Sequence, residues 1–144
     1  MFNKERLLNF AKFSDAKCGS SGPRNILHRS VRVIGGSEAR QGSHPWLVSF
    51  RIRGSHFCSA AILTDHWLLT AAHCFVSVSA DFLHTVEAVA GDFNNRKVER
   101  GEQSFRVKAV KFHEMYQHSS PMSYDIALLE LNGRIQFGKS FQET

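Results

Sequence analysis

The sequence of 144 residues lacks several features that define whole classes of protein. It contains no apolar run near the roughly 18 residues that a membrane-spanning helix needs, so we expect no membrane span. It also contains no internal repeat, no low-complexity tract and no N-x-S/T glycosylation sequon. Hydrophobic residues make up 42% and charged residues 22%, which are ordinary values for globular proteins. This composition excludes a disordered, collagen-like or coiled-coil chain.

The net charge of +5 is unevenly distributed along the chain. Residues 1–32 hold seven Lys/Arg and two Asp/Glu, which leaves +5. Residues 33–144 hold eleven of each and are therefore neutral. The positive charge belongs to the N-terminal segment alone, and the remainder has no excess that would attract a polyanion. We therefore expect no nucleic-acid partner.

The sequence before Val33 divides into two parts. Residues 1–17 have no uninterrupted apolar stretch of about 7–15 residues, so they show no secretory signal. We interpret them as a flexible or weakly helical lead-in, with an amphipathic helix at a membrane surface as the alternative. Residues 18–32 are rich in Gly, Ser and Arg, which indicates irregular backbone that proteases can reach. The composition changes at Val33, so we expect one domain over residues 33–144.

From Val33 onward, apolar runs rich in Val, Ile and Phe alternate with clusters of Gly, Asn, Asp and Ser, a pattern that predicts strands. The six expected strands lie near Trp46–Arg53, Phe57–Leu63, Trp67–Ala71, His84–Ala90, Gln103–Phe112 and Asp125–Leu131. In the fifth, the alternation slips between Ala109 and Val110, which predicts a β-bulge. No segment supplies the helices of an α/β fold. The pattern predicts an all-β domain, either an antiparallel barrel or a sandwich.

Histidines and cysteines cluster in the middle of the chain. His56, Cys58, His73 and Cys74 together form one candidate zinc set. Their spacing is neither C-x-x-C nor H-x-x-x-H, and adjacent side chains of an extended chain point in opposite directions. The pattern therefore argues against zinc, and a single histidine beside a cysteine is more often structural. Asp125 precedes an apolar run, where a carboxylate is costly unless it has a partner.

Three local motifs, taken in order, resemble the trypsin/chymotrypsin-like serine proteases. They are Arg32-Val33-Ile34-Gly35-Gly36, Leu69-Thr70-Ala71-Ala72-His73-Cys74 and Ser123-Tyr124-Asp125-Ile126-Ala127-Leu128-Leu129. They are similar to that family's activation site, histidine box and aspartate strand, respectively. The resemblance covers residues 18–144 and implies a serine-type endopeptidase built from two β-barrels. This chain matches the first of them, a six-stranded antiparallel β-barrel.

The resemblance assigns catalytic roles to two residues. His73 would be the general base that takes a proton from the attacking hydroxyl and returns it to the leaving amine. Imidazole suits this task because its unperturbed pKa of about 6.5 lies near working pH. Asp125 would accept a hydrogen bond from the other ring nitrogen and so fix the histidine tautomer.

The resemblance also implies disulfides and an activation step. Cys58 and Cys74 would form a disulfide, which implies an oxidising, extracellular compartment and secretion. Cys18 is similar to the propeptide cysteine that in many members tethers the activation segment to the catalytic domain. A trypsin-like protease would cleave after Arg32 and free the α-amine of Val33.

Residues 91–103 resemble the calcium loop of some members of the family. Asp92, Glu99 and Glu102 would supply the hard oxygen ligands that calcium prefers. Asp92 stands where a longer Glu is more usual, and the loop also carries three basic residues: Arg96, Lys97 and Arg100. Calcium therefore remains open as a ligand, and a solvated hairpin is the alternative. Apart from this possible calcium ion, the resemblance implies no cofactor.

The nucleophile of the family's mechanism has no counterpart in the sequence. A Gly-Asp-Ser-Gly-Gly-like turn is expected well after the aspartate, and the 19 residues beyond Asp125 contain none. We therefore expect a chain truncated before the serine, the oxyanion hole and the substrate pocket, and inactive alone. The full-length relative would act on proteins or peptides. The alternative is a non-catalytic isoform that uses the first barrel for protein binding.

Overall fold

The computed structural model describes residue 39, residues 42–94, residue 98, residues 101–117 and residues 119–137. Its strands are β1 (Leu47–Ile52), β2 (Ser55–Ile62), β3 (Trp67–Thr70), β4 (Glu87–Ala90), β5 (Gln103–Phe112) and β6 (Ala127–Leu131). A 3-10 helix (Ala72–Cys74) follows β3, and a short helix, α1 (Ala80–Leu83), precedes β4. The predicted lead-in, Cys18, Arg32, Val33 and Glu99 lie outside the described residues. Within the described part, no helix is long and apolar enough to cross a membrane.

The six strands form a closed barrel in the order β1-β2-β3-β6-β5-β4. Every neighbouring pair is antiparallel, and the pairing of β1 with β4 completes the closure. The predicted six-stranded antiparallel β-barrel is confirmed, and the sandwich alternative is wrong. Two seams, β1–β4 and β3–β6, join the first three strands to the last three.

Aromatic rings fill one part of the barrel interior. Phe50 and Phe75 are fully buried, and their rings meet edge to face with centroids 4.9 Å apart. The Phe57 ring lies 6.1 Å from that of Phe50 and 5.8 Å from that of Phe75. These separations fall in the range that favours aromatic pairs. The other large, fully buried side chains of the core are Val48, Ile62, Leu68, Val86, Val107 and Leu129.

A two-residue turn joins β1 to β2. Arg53 and Gly54 have φ values of 52° and 79°. Two-residue hairpin turns with positive φ at both positions match the twist of the flanking strands, and glycine adopts this conformation without steric cost. The turn places Ile52 opposite Ser55 and so sets the register at the start of the hairpin.

The fourth strand is shorter than predicted. The sequence indicated a strand from His84, whereas β4 begins at Glu87. The side chain of Ser79 accepts a hydrogen bond from the N–H of Phe82 at 3.3 Å and caps α1. A cap of this kind stabilises the first turn of a helix at the expense of an extended backbone. The chain therefore forms one helical turn before β4 starts. The prediction was wrong for residues 84–86.

The predicted bulge is present in β5 but lies earlier than expected. The pairing with β6 shifts between Val107 and Ala109, which leaves Lys108 as the additional residue. The sequence had placed the slip between Ala109 and Val110. The ammonium of Lys108 donates a hydrogen bond to Glu130 of β6 at 2.6 Å.

Candidate active site

The seam between β3 and β6 brings His73 and Asp125 together. Thr70, the last residue of β3, pairs with Ala127, the first residue of β6. Because the strands are antiparallel, the end of β3 and the start of β6 lie at the same end of the barrel. His73 follows Thr70 by three positions and Asp125 precedes Ala127 by two, so residues 52 apart in sequence meet there.

Asp125 contacts His73 at two points. Its Oδ2 lies 2.6 Å from Nδ1 of the His73 ring, and its Oδ1 accepts a hydrogen bond from the backbone N–H of His73 at 2.8 Å. An ionised carboxylate only accepts, so Nδ1 carries the proton of this bond and Nε2 keeps its lone pair. The His73 side chain is 50% exposed and that of Asp125 is 18% exposed. In the neutral imidazole, the arrangement therefore leaves Nε2 as the proton-accepting nitrogen of a half-exposed side chain.

The pKa of Asp125 is lowered from its ordinary value. The hydrogen bond from the His73 ring is the largest cause, and the backbone N–H of His73 adds to it. Both donors favour the charged carboxylate, which outweighs the opposing effect of burial. Asp125 is therefore ionised at neutral pH.

A disulfide and a hydrogen bond hold the segment that carries His73. Cys74, in the 3-10 helix, is bonded to Cys58 of β2, as the sequence analysis expected. The hydroxyl of Thr70 donates to the carbonyl of Ser59 at 2.7 Å. Both links tie the end of β3 to the middle of β2, so the backbone around His73 is fixed from two sides.

The disulfide bears directly on the zinc alternative. It leaves neither Cys58 nor Cys74 as a thiolate, and His56 instead lies 2.7 Å from the hydroxyl of Ser49. The four residues therefore do not form a zinc set. However, the prediction that the adjacent side chains of His73 and Cys74 point in opposite directions is wrong. His73 and Cys74 do not point apart, because a 3-10 turn replaces the extended chain there and places Nε2 3.7 Å from Sγ.

A second histidine–aspartate pair lies near the opposite end of β3. Nδ1 of His66 is 2.5 Å from Oδ1 of Asp65, and the guanidinium of Arg134 contacts the same carboxylate. Burial raises the pKa of Asp65, but the bonds from His66 and Arg134 together lower it. This pair was not among the predicted site residues. Asp65 and His66 lie in a turn before β3. In this turn, Thr64 Oγ1 accepts hydrogen bonds from the backbone N–H groups of His66 and Trp67.

Two of the predicted calcium ligands, Asp92 and Glu102, share another partner. Among the described residues, Asp92 forms an ion pair with Arg51, with 2.6 Å between Oδ2 and Nη2. Glu102 Oε2 lies 3.8 Å from Nη1 of the same guanidinium. Arg51 was missed at the sequence level, because one arginine in an alternating strand is normally solvated.

Comparisons with known proteins find relatives of this chain. A model of the trypsin family matches residues 33–144. Ovochymase-2 of Mus musculus is 35% identical over 126 residues, which cover 85% of this chain and 20% of that protein. Ovochymase of Halocynthia roretzi is 33% identical over 130 residues, which cover 88% of this chain and 8% of that protein.

A solved structure shares the fold. The chain is similar to human heparin binding protein, with a TM-score of 0.66 and 27% sequence identity. The match covers 77% of this chain and 47% of the other. The chain thus spans about half the length of that structure and a fifth or less of these two ovochymases.

Proposed function

Because the chain belongs to the trypsin family of serine peptidases, we propose that it provides the histidine and the aspartate of a secreted serine endopeptidase. The observation that carries this proposal is the double contact between His73 and Asp125. One carboxylate orients both the ring and the backbone of a histidine whose side chain is half exposed. This arrangement suits a general base held in one tautomer.

In the proposed mechanism, Nε2 of His73 takes the proton of a serine hydroxyl as the oxygen attacks the peptide carbonyl. Asp125 stays ionised and stabilises the imidazolium that forms. The proton then passes from Nε2 to the leaving amine. No cofactor takes part, and the substrate is a protein or a peptide.

The serine, the oxyanion hole and the substrate pocket belong, in this proposal, to a second barrel that the 144 residues do not include. Two observations support it. The chain corresponds to 47% of the solved relative. Large apolar side chains that flank Asp125 are also exposed: Met122 at 59%, Tyr124 at 47% and Ile126 at 41%. Such surface suits packing against another domain. The chain alone is then inactive.

We further propose a zymogen arrangement for the residues before the barrel. Residues 18–32 form the activation segment, and the catalytic domain begins at Val33. A trypsin-like protease cleaves after Arg32, and the new α-amine of Val33 is mostly protonated at neutral pH, since such groups have pKa values of about 7.7–8.0. Cys18 keeps the cleaved segment attached through a disulfide. Secretion is consistent with the Cys58–Cys74 bridge.

A fluorophosphonate probe that labels activated serines tests the proposal. We expect no labelling of the 144-residue chain and specific labelling of a longer natural product that continues past Thr144, once it is cleaved after Arg32. His73→Ala in that product should abolish labelling. His66→Ala is the matched control, since His66 also pairs with an aspartate but lies near the other end of β3. Equal losses in both variants would contradict the assignment of His73.

The intact mass of the natural protein separates this function from its alternative. A longer species with a Gly-Asp-Ser-Gly-Gly-like peptide supports the peptidase. A species at 16.3 kDa, the mass of this chain, supports a non-catalytic isoform that binds other proteins through the barrel.

A further inference from the structure

Arg51 is a buried charged residue on the outer face of the barrel. The pairing of β1 with β2 shifts between Phe50 and Arg51. Phe50 points into the core, and Arg51, one position later, lies on the opposite face. It nevertheless has only 8% of its surface exposed. A guanidinium removed from water in this way requires compensating negative charge.

That charge comes from the β4–β5 connection. Nη2 of Arg51 lies 2.6 Å from Oδ2 of Asp92, and Nη1 lies 3.8 Å from Oε2 of Glu102. The side chain of Asp92 is 2% exposed and that of Glu102 is 7% exposed. One guanidinium thus lies between two buried carboxylates near the two ends of the same connection, where the calcium-loop resemblance would place a metal ion.

We propose that the guanidinium of Arg51 is a built-in cation that takes the place of calcium in this loop. Calcium requires six to eight oxygens at about 2.3–2.6 Å. To approach Asp92 and Glu102 at that distance, the ion would have to displace Arg51. The guanidinium, on a side chain that is only 10% exposed, would then lose its carboxylate partners in a place that water barely reaches, which is strongly unfavourable for a buried charge. The positive charge that holds the loop therefore belongs to a side chain of the protein itself, and the loop does not need calcium.

The charge of the segment favours the same assignment. Residues 91–103 contain three acidic residues (Asp92, Glu99 and Glu102) and three basic residues (Arg96, Lys97 and Arg100), a net of zero. Adding Arg51 makes the set positive. Calcium affinity rises with the number of charged oxygen ligands, so this set offers little attraction to a divalent cation.

Thermal unfolding of the purified protein in calcium or in EDTA tests this proposal. We expect the wild-type Tm to change by less than about 1 °C on addition of about 1 mM calcium. Arg51→Gln removes the cation and leaves two buried carboxylates, so its Tm in EDTA should fall by roughly 10 °C. Calcium should raise the Tm of Arg51→Gln more than that of the wild type, because the substitution removes the positive charge that the ion would have to displace.

Arg53→Gln is the matched control, since Arg53 lies two residues further on and is exposed. Its Tm should match the wild type in both buffers. A calcium-dependent rise of several degrees in the wild type would overturn the proposal, as would an Arg51→Gln Tm equal to that of the control. A loss of stability in Arg51→Gln that calcium does not lessen would also overturn it. If Arg51→Gln does not remain folded, its refolding yield with and without calcium gives the same comparison.

Discussion

Asp125 fixes both the ring and the backbone of His73, through contacts of 2.6 Å at Nδ1 and 2.8 Å at the amide nitrogen. Asp125→Asn keeps the shape of the side chain but puts a donor or a neutral acceptor where the carboxylate was. In trypsin-like enzymes this exchange stabilises the wrong tautomer and lowers kcat about 10⁴-fold. We expect a loss of that size in the activated, serine-containing protein, measured as the rate of peptide hydrolysis at neutral pH.

The second histidine–aspartate pair supplies the control for this exchange. Asp65→Asn removes a carboxylate that contacts His66 and Arg134 near the far end of β3. It should lower stability modestly, because surface ion pairs contribute about 1 kcal/mol or less. It should leave kcat nearly unchanged, because Asp65 contacts His66 and not His73. Similar losses of kcat in both variants would mean that charge in general, and not the position of Asp125, controls the rate.

Removing the disulfide should destabilise the barrel. A bridge that closes a loop of about 15 residues contributes roughly 3 kcal/mol by restricting the unfolded chain. The Cys58→Ser, Cys74→Ser double variant should lose about this much free energy of unfolding, measured in urea. The wild type in reductant should show the same loss. A double variant within about 0.5 kcal/mol of the wild type would indicate that the bridge adds no net stability.

Acid should weaken the fold through carboxylates whose pKa is lowered. The pKa of Glu130 is below its ordinary 4.5, chiefly because Lys108 donates a hydrogen bond to it, and that of Asp125 is below 3.8 because of His73. A lowered folded-state pKa means that the ionised group stabilises the fold. This contribution is complete above the unfolded pKa values and is lost as the pH falls through the folded ones. The urea midpoint should therefore decline below about pH 4.

Glu130→Gln isolates one part of that acid effect. The difference in urea midpoint between the wild type and this variant should be constant above about pH 5 and shrink towards zero as the pH falls below about 4. A difference that persists undiminished at about pH 2.5 would show that the charge of Glu130 is not its source.

The aromatic cluster predicts a large packing effect at Phe50. Its side chain has no exposed surface and contacts the rings of Phe57 and Phe75. Phe50→Ala should cost about 3–5 kcal/mol of unfolding free energy, since it removes apolar contacts and leaves a cavity. Phe82→Ala is the matched control. Phe82 is 44% exposed, so urea unfolding should show a loss of less than about 1 kcal/mol.

Strand pattern and local motifs predicted most of the barrel, because burial on one face imposes period-two alternation. They did not predict the start of β4, since a four-residue helix is too short to leave a periodic signal. They also missed the 3-10 turn at residues 72–74, and with it the closeness of His73 to Cys74. Both departures depend on single side-chain or backbone hydrogen bonds, which residue composition does not predict.

Arg51 illustrates a different limit of sequence interpretation. An outward-facing arginine in a strand looks solvated when only its own strand is considered. Its burial depends on Asp92 and Glu102, which come from a connection about 40 to 50 residues later. Contacts of that separation are set by how the barrel closes and not by local propensity.

The closed strand order has a consequence for when the histidine and the aspartate meet during folding. His73 follows the first three strands and Asp125 precedes the sixth, so each belongs to a different half of the barrel. Hairpins within a half form from nearby residues, whereas the β3–β6 seam must close a long loop first. The pair therefore forms only when the β3–β6 seam joins the two halves, and an intact His73–Asp125 contact marks the closure of that seam.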